Sequence, residues 1–163
     1  MIIRAYLSLG SNLGDRKAYL KQAVQELSNL PDTCLDTVSS IYETPPWGLT
    51  NQPAFLNICI GIDTGLTPQV LLARCLEIER KLGRERTIRW GPRVLDIDIL
   101  TFGNMKLDVY GLTLPHPSMM ERAFVLKPLA EIAPDLSFDG VSIHYALCKL
   151  DTVGIANIGT LDL

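Results

Sequence analysis

RERTIRWGPRVLDIDIL, residues 84–100, joins a basic segment to an apolar run that carries two acidic residues. Side chains along a strand alternate between its two faces, so this run predicts a strand with Asp96 and Asp98 on the same face. Leu95 and Ile97 then point the opposite way, towards a core. Because the same alternation is typical of any half-exposed strand, the neighbouring residues must decide whether the acidic pair is a site.

The basic segment before the strand favours a phosphate site. Two carboxylates on one face repel each other and are stabilised by a cation, and proteins commonly hold Mg²⁺ through one or two carboxylates together with substrate phosphates. Arginine donates paired hydrogen bonds to phosphate oxygens. The segment carries Arg84, Arg86, Arg89 and Arg93 around a Trp-Gly-Pro turn. The stretch therefore predicts a magnesium–phosphate site.

Composition limits the class of protein. The chain has 163 residues, of which 47% are hydrophobic and 20% charged, and these values predict one folded domain over residues 1–163. A net charge of −3 argues against a nucleic-acid partner, so the local arginines favour a small anion in a pocket. No apolar run approaches the roughly 20 residues that cross a bilayer, and we expect no membrane contact.

The cysteines and the first residues indicate the compartment. Four cysteines are scattered along the chain without C-x-x-C spacing, which argues against a zinc site and against a disulfide framework. The N-terminal residues lack the charged, apolar and cleavage regions of a signal peptide. We therefore expect a cytoplasmic protein.

The order of predicted elements indicates the fold class. Periodicity and turn residues predict strands over residues 2–9, 34–42 and 55–63, a further strand in the apolar run with Asp96 and Asp98, which ends before a turn at residues 102–104, and helices over residues 15–29, 68–82, 122–132 and 142–150. Thr67 is the expected N-cap of the second helix, with Pro68 at its first position. The order predicts an α+β protein with a ferredoxin-like βαββαβ core, in which two helices pack on one face of an antiparallel sheet, followed by C-terminal extras.

Two features indicate walls for a flat ligand. Phe55 and Asn57 share a face of the third strand, so that a ring could stack on one while bonding the other. By default, however, an amide in an apolar run satisfies backbone groups. Trp47 lies in a loop with three prolines, where it either packs on the core or forms a stiff wall for a heterocycle.

Five motifs together resemble a known family. They are LGSNLG (residues 9–14), YETPPWG (42–48), QPAFLN (52–57), WGPRVLDIDIL (90–100) and LPHP (114–117). In this order they resemble the 6-hydroxymethyl-7,8-dihydropterin pyrophosphokinases of folate biosynthesis, over roughly residues 5–135. The resemblance implies transfer of the terminal diphosphate of ATP to the hydroxymethyl oxygen of the pterin, with release of AMP.

The resemblance also implies roles for individual residues. Asp96 and Asp98 would hold two Mg²⁺ ions, and with Arg84 and Arg93 they would form the catalytic set. The implied ATP-binding residues are Glu79, Arg84, Arg86, Arg89, Arg93, Ile99, Thr113, His116 and Arg122. The implied pterin-binding residues are Thr44, Pro45, Trp47, Gly48, Phe55, Asn57 and Phe124. The expected partners are these two small molecules, in a monomer that other folate-pathway enzymes could contact.

Departures from the family pattern leave two roles open. Thr87 stands where some members place a lysine, and Gly111 stands where some carry an arginine. These differences leave the separate roles of Arg86 and Arg89 undecided. From the residues alone, two other functions stay open: another Mg²⁺-dependent phosphotransferase or nucleotidyltransferase, and an RNA- or anion-binding module on the same sheet.

Overall fold

Two long apolar strands organise the chain. The computed structural model describes residues 1–45, 53–83 and 94–163. Strands β1 (Ile3–Ser11) and β4 (Phe55–Thr64) pair antiparallel from Ile3 opposite Thr64 to Ser11 opposite Leu56. Strand β5 (Asp96–Phe102) pairs antiparallel with the other edge of β1. The predicted α+β class with an antiparallel sheet is confirmed.

The remaining elements extend this sheet or cover it. They are α1 (Arg16–Ser28), β2 (Thr33–Val38), β3 (Tyr42–Thr44), α2 (Pro68–Lys81), β6 (Leu107–Val109), β7 (Leu112–Leu114), a 3₁₀ turn (Met119–Glu121), α3 (Ala123–Ile132), β8 (Ser137–Phe138), β9 (Val141–Ser142), α4 (Ile143–Cys148) and β10 (Ala156–Asn157). The order in the main sheet is β10-β3-β4-β1-β5, and β2 also pairs with β4. In the described ranges, no helix combines the length and apolar character required to cross a membrane.

The predicted strand over residues 34–42 is two strands, β2 and β3, which pair with successive parts of β4. Serine side chains interrupt the ladder between them. The Ser39 hydroxyl accepts a hydrogen bond from the Cys59 N–H at 2.9 Å, and the Ser40 N–H donates to the Glu131 carboxylate at 3.0 Å. Because serine competes for backbone bonding groups, the strand breaks here.

Helices α1 and α2 pack on one face of the sheet as predicted. Thr67 caps α2 by accepting from the Val70 N–H, and Pro68 begins the helix, so both predicted signals are confirmed. Leu7, Ile60 and other fully buried side chains fill the layer between these helices and the sheet, which we call the α1/α2 core.

The opposite face is also covered, by helices that the sequence placed only as extras. Cys59 and Leu100 project from the sheet into a second cluster with Leu126 and Leu129 of α3, which we call the α3/α4 core. Leu100 lies on this side because it follows the two-residue alternation of Asp96 and Asp98, and the one-residue shift in the register of β5 against β1 then returns Phe102 to the α1/α2 core. The sheet therefore has two buried sides. Asp96, Asp98 and Asn57 lie on the α3/α4 side, the face from which Leu100 and Cys59 project.

Candidate functional site

Several of the predicted site residues share one face of the sheet. Antiparallel pairing places Asp96 of β5 opposite Gly10 of β1, and Gly10 opposite Asn57 of β4. Residues directly opposite each other lie on the same face, and adjacent strands are about 4.8 Å apart. The acidic residue and the amide therefore face the same side, about 10 Å apart across two strand spacings.

Gly10 lies in the middle of this row, where the Asn57 amide occupies the space that a side chain would take. A Cβ atom at Gly10 would lie 2.8 Å from the Asn57 Oδ1 atom, closer than real Cβ atoms approach. Any larger residue would displace the amide. A glycine inside a strand pattern is a signal of such a close approach, and this residue received no role in the sequence analysis.

The acidic pair has the predicted orientation. Asp98 is exposed and Asp96 is half-buried, whereas Ile97 and Ile99 are buried in the α1/α2 core. The Ile99 side chain is therefore turned away from the carboxylates, and a nucleotide contact by this residue would use its backbone. In residues 1–45, 53–83 and 94–163 no group of three or more His, Cys, Asp or Glu side chains could hold a metal ion. Two hard carboxylates suit Mg²⁺ that takes its other ligands from substrate and water.

Glu79 holds the strand that carries this pair. Its side chain is buried in α2, and its Oε2 atom accepts a hydrogen bond from the Ile97 N–H at 2.7 Å. Ile97 lies between the two aspartates on β5, which ends the main sheet on this side. The carboxylate thus satisfies a backbone donor that none of the described strands pairs.

His116 and Arg122 lie near Asp98. The His116 N–H donates to the Leu100 carbonyl at 2.8 Å, and the imidazole Nδ1 accepts from the Ser118 N–H at 3.2 Å. Burial lowers the pKa of His116, the negative charge of Asp98 opposes this lowering, and the positive charge of Arg122 adds to it. These three predicted residues are therefore close enough to act on each other electrostatically.

Thr113, a fourth predicted nucleotide contact, lies on β7. Its hydroxyl donates to the Asp108 carboxylate on the paired strand β6 at 3.2 Å. The half-buried hydroxyl therefore bonds within its own hairpin.

The residues predicted to bind a pterin form a second group. The Asn57 Nδ2 atom donates to the Thr44 hydroxyl at 3.1 Å, so the amide bonds another predicted site residue. Phe55 is directly opposite Thr44. Phe124, at the start of α3, lines a cavity of about 430 Å³ with Thr44 and Pro45.

Arg122 connects the two groups. It lines the same cavity, and its guanidinium carbon is 5.9 Å from the centroid of the Phe124 ring. Its charge also acts on His116, beside Asp98. One cation thus lies between the acidic pair and the aromatic group.

Six of the predicted site residues lie outside the described residues. They are Trp47, Gly48, Arg84, Arg86, Arg89 and Arg93. Their roles remain predictions from the sequence.

The sequence analysis also missed the C-terminal contribution to the site. Leu150, Asp151, Val153 and Ile155 line the cavity with Phe124. Residues 150–155 carry no periodic pattern and no motif, so the sequence offers no signal for this contact.

The described residues define an α+β protein with a carboxylate pair and an aromatic-lined cavity on one face of an antiparallel sheet. The model of the 7,8-dihydro-6-hydroxymethylpterin-pyrophosphokinase (HPPK) family matches residues 6–134. The chain belongs to this family.

Two curated relatives are similar in sequence over most of the chain. It is 52% identical to the 2-amino-4-hydroxy-6-hydroxymethyldihydropteridine pyrophosphokinase of Methylorubrum extorquens, over 95% of this chain and 98% of that protein. It is 48% identical to the protein of the same name from Bacillus subtilis, over 85% of this chain and 83% of that protein.

A solved structure shares the fold. The HPPK-DHPS protein of Plasmodium falciparum superposes with a TM-score of 0.71 at 15% identity, over 91% of this chain. The chain spans 45% of the length of that protein, so the likeness concerns the fold of one part of it.

Proposed function

We propose that this chain transfers the terminal diphosphate of ATP to the hydroxymethyl oxygen of 6-hydroxymethyl-7,8-dihydropterin, releasing AMP, as a step of folate biosynthesis. The observation that carries this proposal is the family match over residues 6–134. Relatives at 47–52% identity that carry the name of this pyrophosphokinase support the same reaction.

We also propose that the core has the ferredoxin-like βαββαβ topology. With β2 and β3 counted as one interrupted strand, the elements run strand, helix, strand, strand, helix, strand. The last of these strands, β5, lies next to the first, and all the pairings are antiparallel. This order supports the assignment.

The proposed phosphate site consists of Asp96 and Asp98 with nearby cations. The two carboxylates would hold two Mg²⁺ ions together with the phosphates of ATP, since their number, hardness and common face fit that ion. When bound, Mg²⁺ would supply charge neutralisation at the transferred phosphate. Arg122 would donate to phosphate oxygens, and its charge acting on His116 together with its position in the cavity lining supports this role.

The remaining proposed nucleotide contacts surround this centre. Arg84 and Arg93 would stabilise charge on the leaving AMP, with Arg86 and Arg89 assisting, because arginine binds phosphate through paired hydrogen bonds. His116 would contribute an imidazole whose pKa is lowered by burial and by the charge of Arg122, against the opposing charge of Asp98. Diphosphate transfer requires mainly positioning and charge stabilisation, and these residue types supply both.

The proposed pterin site lies between Phe55 and Phe124. Two aromatic rings suit a flat heterocycle, and a few fixed polar groups set its orientation. The Asn57 amide is such a group, because its bond to Thr44 fixes the side chain and glycine at position 10 is what lets its oxygen lie this close to β1. Trp47 and Gly48 would complete the wall.

We further propose a cytoplasmic monomer whose substrates are these two small molecules. The HPPK-DHPS neighbours carry a second named unit, DHPS, in the same protein. This arrangement supports contact between the present chain and another folate enzyme.

Product analysis tests the reaction directly. Purified protein would be incubated with ATP, Mg²⁺ and 6-hydroxymethyl-7,8-dihydropterin, and the products separated by chromatography. We expect AMP and a diphosphorylated pterin in equal amounts. ADP in place of AMP would indicate an ordinary phosphotransferase, and absence of any pterin-dependent product would refute the proposal.

Substitution of the acidic pair tests the phosphate site. Asp96→Asn and Asp98→Asn each remove one negative charge without changing shape, and we expect turnover to fall by about 100-fold or more in each. Asp139→Asn is the matched control, because Asp139 is an exposed turn residue paired with Lys106 away from the site. Retained activity in either site variant would remove the metal assignment.

A further inference from the structure

The C-terminal residues are fixed to the strand that leads into the proposed pterin site. β10 pairs antiparallel with β3, with Ala156 opposite Glu43 and Asn157 opposite Tyr42. Two backbone hydrogen bonds between Ile41 and residues 158–159, of 2.9 and 2.6 Å, extend the pairing. The position of this segment relative to β3 is therefore set by the backbone.

A tight turn precedes β10 and lies close to Pro45. The Val153 N–H donates to the Asp151 side chain at 2.9 Å, and the Ile155 N–H donates to the Thr152 carbonyl at 3.1 Å. Between them Gly154 has φ +87°, and a Cβ atom there would lie 3.3 Å from the Pro45 Cγ atom. Glycine adopts this backbone conformation without strain, and a side chain here would require Pro45 to shift by a few tenths of an ångström.

The same turn forms one wall of the cavity beside Phe124. Leu150, Val153 and Ile155 supply apolar surface opposite Phe124 and Pro45, and the cavity volume of about 430 Å³ is within the usual range for small-molecule sites. Glu121, Arg122 and Asp151 add charged groups to this lining. The lining thus combines apolar walls with a few polar groups, as heterocycle sites do.

We infer that residues 150–155 are a wall of the pterin site and that Gly154 is a positioning residue, which sets the place of Pro45. The inference rests on the proposed function. It adds a specificity determinant from a segment that the sequence motifs do not include. A side chain at position 154 would displace Pro45 and weaken pterin binding, while the acidic pair on β5 and the ATP contacts would keep their places.

The test compares two glycines that have the same backbone conformation. Gly154→Val and Gly140→Val both place a branched residue at positive φ, at +87° and +80°, but nothing lies within 4 Å of a Cβ atom at Gly140. Both variants strain the backbone at positive φ, and only Gly154→Val adds the contact with Pro45. We expect the KM for 6-hydroxymethyl-7,8-dihydropterin to rise about fivefold or more in Gly154→Val alone, with the KM for ATP changed by less than about twofold.

Other outcomes overturn the inference. It fails if the pterin KM is unchanged in Gly154→Val, if it rises equally in Gly140→Val, or if the KM for ATP rises in parallel. Should Gly154→Val not fold, Gly154→Ala gives the same comparison with Gly140→Ala, by calorimetric titration with 6-hydroxymethylpterin. Pterin-dependent AMP formation by the unmodified chain tests the proposed function separately, so the two failures can be told apart.

Discussion

At the scale of single residues, two buried serines differ in their bonding. Ser39 accepts from the Cys59 N–H and donates to the Ser40 carbonyl, whereas the Ser11 hydroxyl has no hydrogen-bond partner among the described residues. A buried hydroxyl without a partner costs free energy that an apolar group does not. We expect Ser11→Ala to leave the free energy of unfolding unchanged or to raise it by about 1 kcal/mol.

Ser39→Ala is the comparison for this prediction. It would leave the buried Cys59 N–H without its acceptor, so we expect a loss of about 1–3 kcal/mol. Urea unfolding of both variants at neutral pH provides the measurement. A loss at Ser11 as large as that at Ser39 would show that the Ser11 hydroxyl has a stabilising role in solution.

At this scale, the sequence predicted the face on which a side chain lies better than it predicted the hydrogen bonds that the side chain makes. The two-residue period placed Asp96 and Asp98 on one face, and this orientation follows from strand geometry alone. The Asn57–Thr44 bond could not be predicted, because it depends on the register between β3 and β4. The close approach at Gly10 depends on the same long-range pairing.

At the scale of elements, Glu131 of α3 joins that helix to β3. Its carboxylate accepts from the Tyr42 hydroxyl at 2.6 Å and from the Ser40 N–H and hydroxyl. Burial and this carboxylate raise the pKa of Tyr42 to about 12. The protonated phenol is therefore favoured in the folded state relative to the unfolded chain, where the pKa is about 10.

This shift gives a stability difference that depends on pH. The contribution of Tyr42 is complete below pH 10 and is lost as pH rises towards 12. We expect the difference in unfolding free energy between the unmodified chain and Tyr42→Phe to shrink by about 1 kcal/mol between pH 9 and pH 11. Urea titrations across this range measure it. Glu131→Gln should show a smaller pH dependence, and a difference that stays constant with pH would contradict the assignment.

Glu79 gives a second prediction at this scale, for the edge strand β5. Glu79→Leu removes the acceptor of the buried Ile97 N–H, and we expect a loss of about 1–3 kcal/mol in unfolding free energy. Under the proposed function, this variant should also need more Mg²⁺ for half-maximal turnover, because Ile97 separates the two carboxylates. Glu79→Gln keeps an oxygen acceptor, so it should lose less unfolding free energy and show a smaller increase in its Mg²⁺ requirement. Equal losses in the two variants would exclude this role for the backbone bond.

Elements that depend on local pattern were predicted, and those that depend on tertiary pairing were not. The Thr67-Pro68 signal located α2 to the residue because capping is a local interaction. The break between β2 and β3 required Glu131, which is 91 residues away from Ser40. β10 has two residues, too few for any period, and it is defined only by its pairing with β3.

At the scale of the whole molecule, one sheet separates two buried layers, each with a buried cysteine. Cys59 lies in the α3/α4 core and Cys75 in the α1/α2 core, whereas Cys34 and Cys148 are exposed. Burial raises the pKa of Cys59, and burial together with the charges of Glu79 and Asp98 raises the pKa of Cys75 to about 12. Because the thiolate is the reactive form, both buried thiols are protected from reagents in two ways: the reagent cannot reach them, and they stay protonated.

Thiol labelling can therefore show whether the two layers unfold together. With a reagent for thiols at pH 8, we expect the two exposed cysteines to react at once and the two buried ones only through opening of the structure. Cys34→Ser with Cys148→Ser leaves the buried pair, and mass spectrometry of peptides follows each site across urea concentrations. If the sheet makes one cooperative unit, both sites should give the same opening free energy and the same urea dependence. A lower opening free energy at Cys59 would show instead that α3 and α4, with the cavity wall they support, open while the α1/α2 core stays folded.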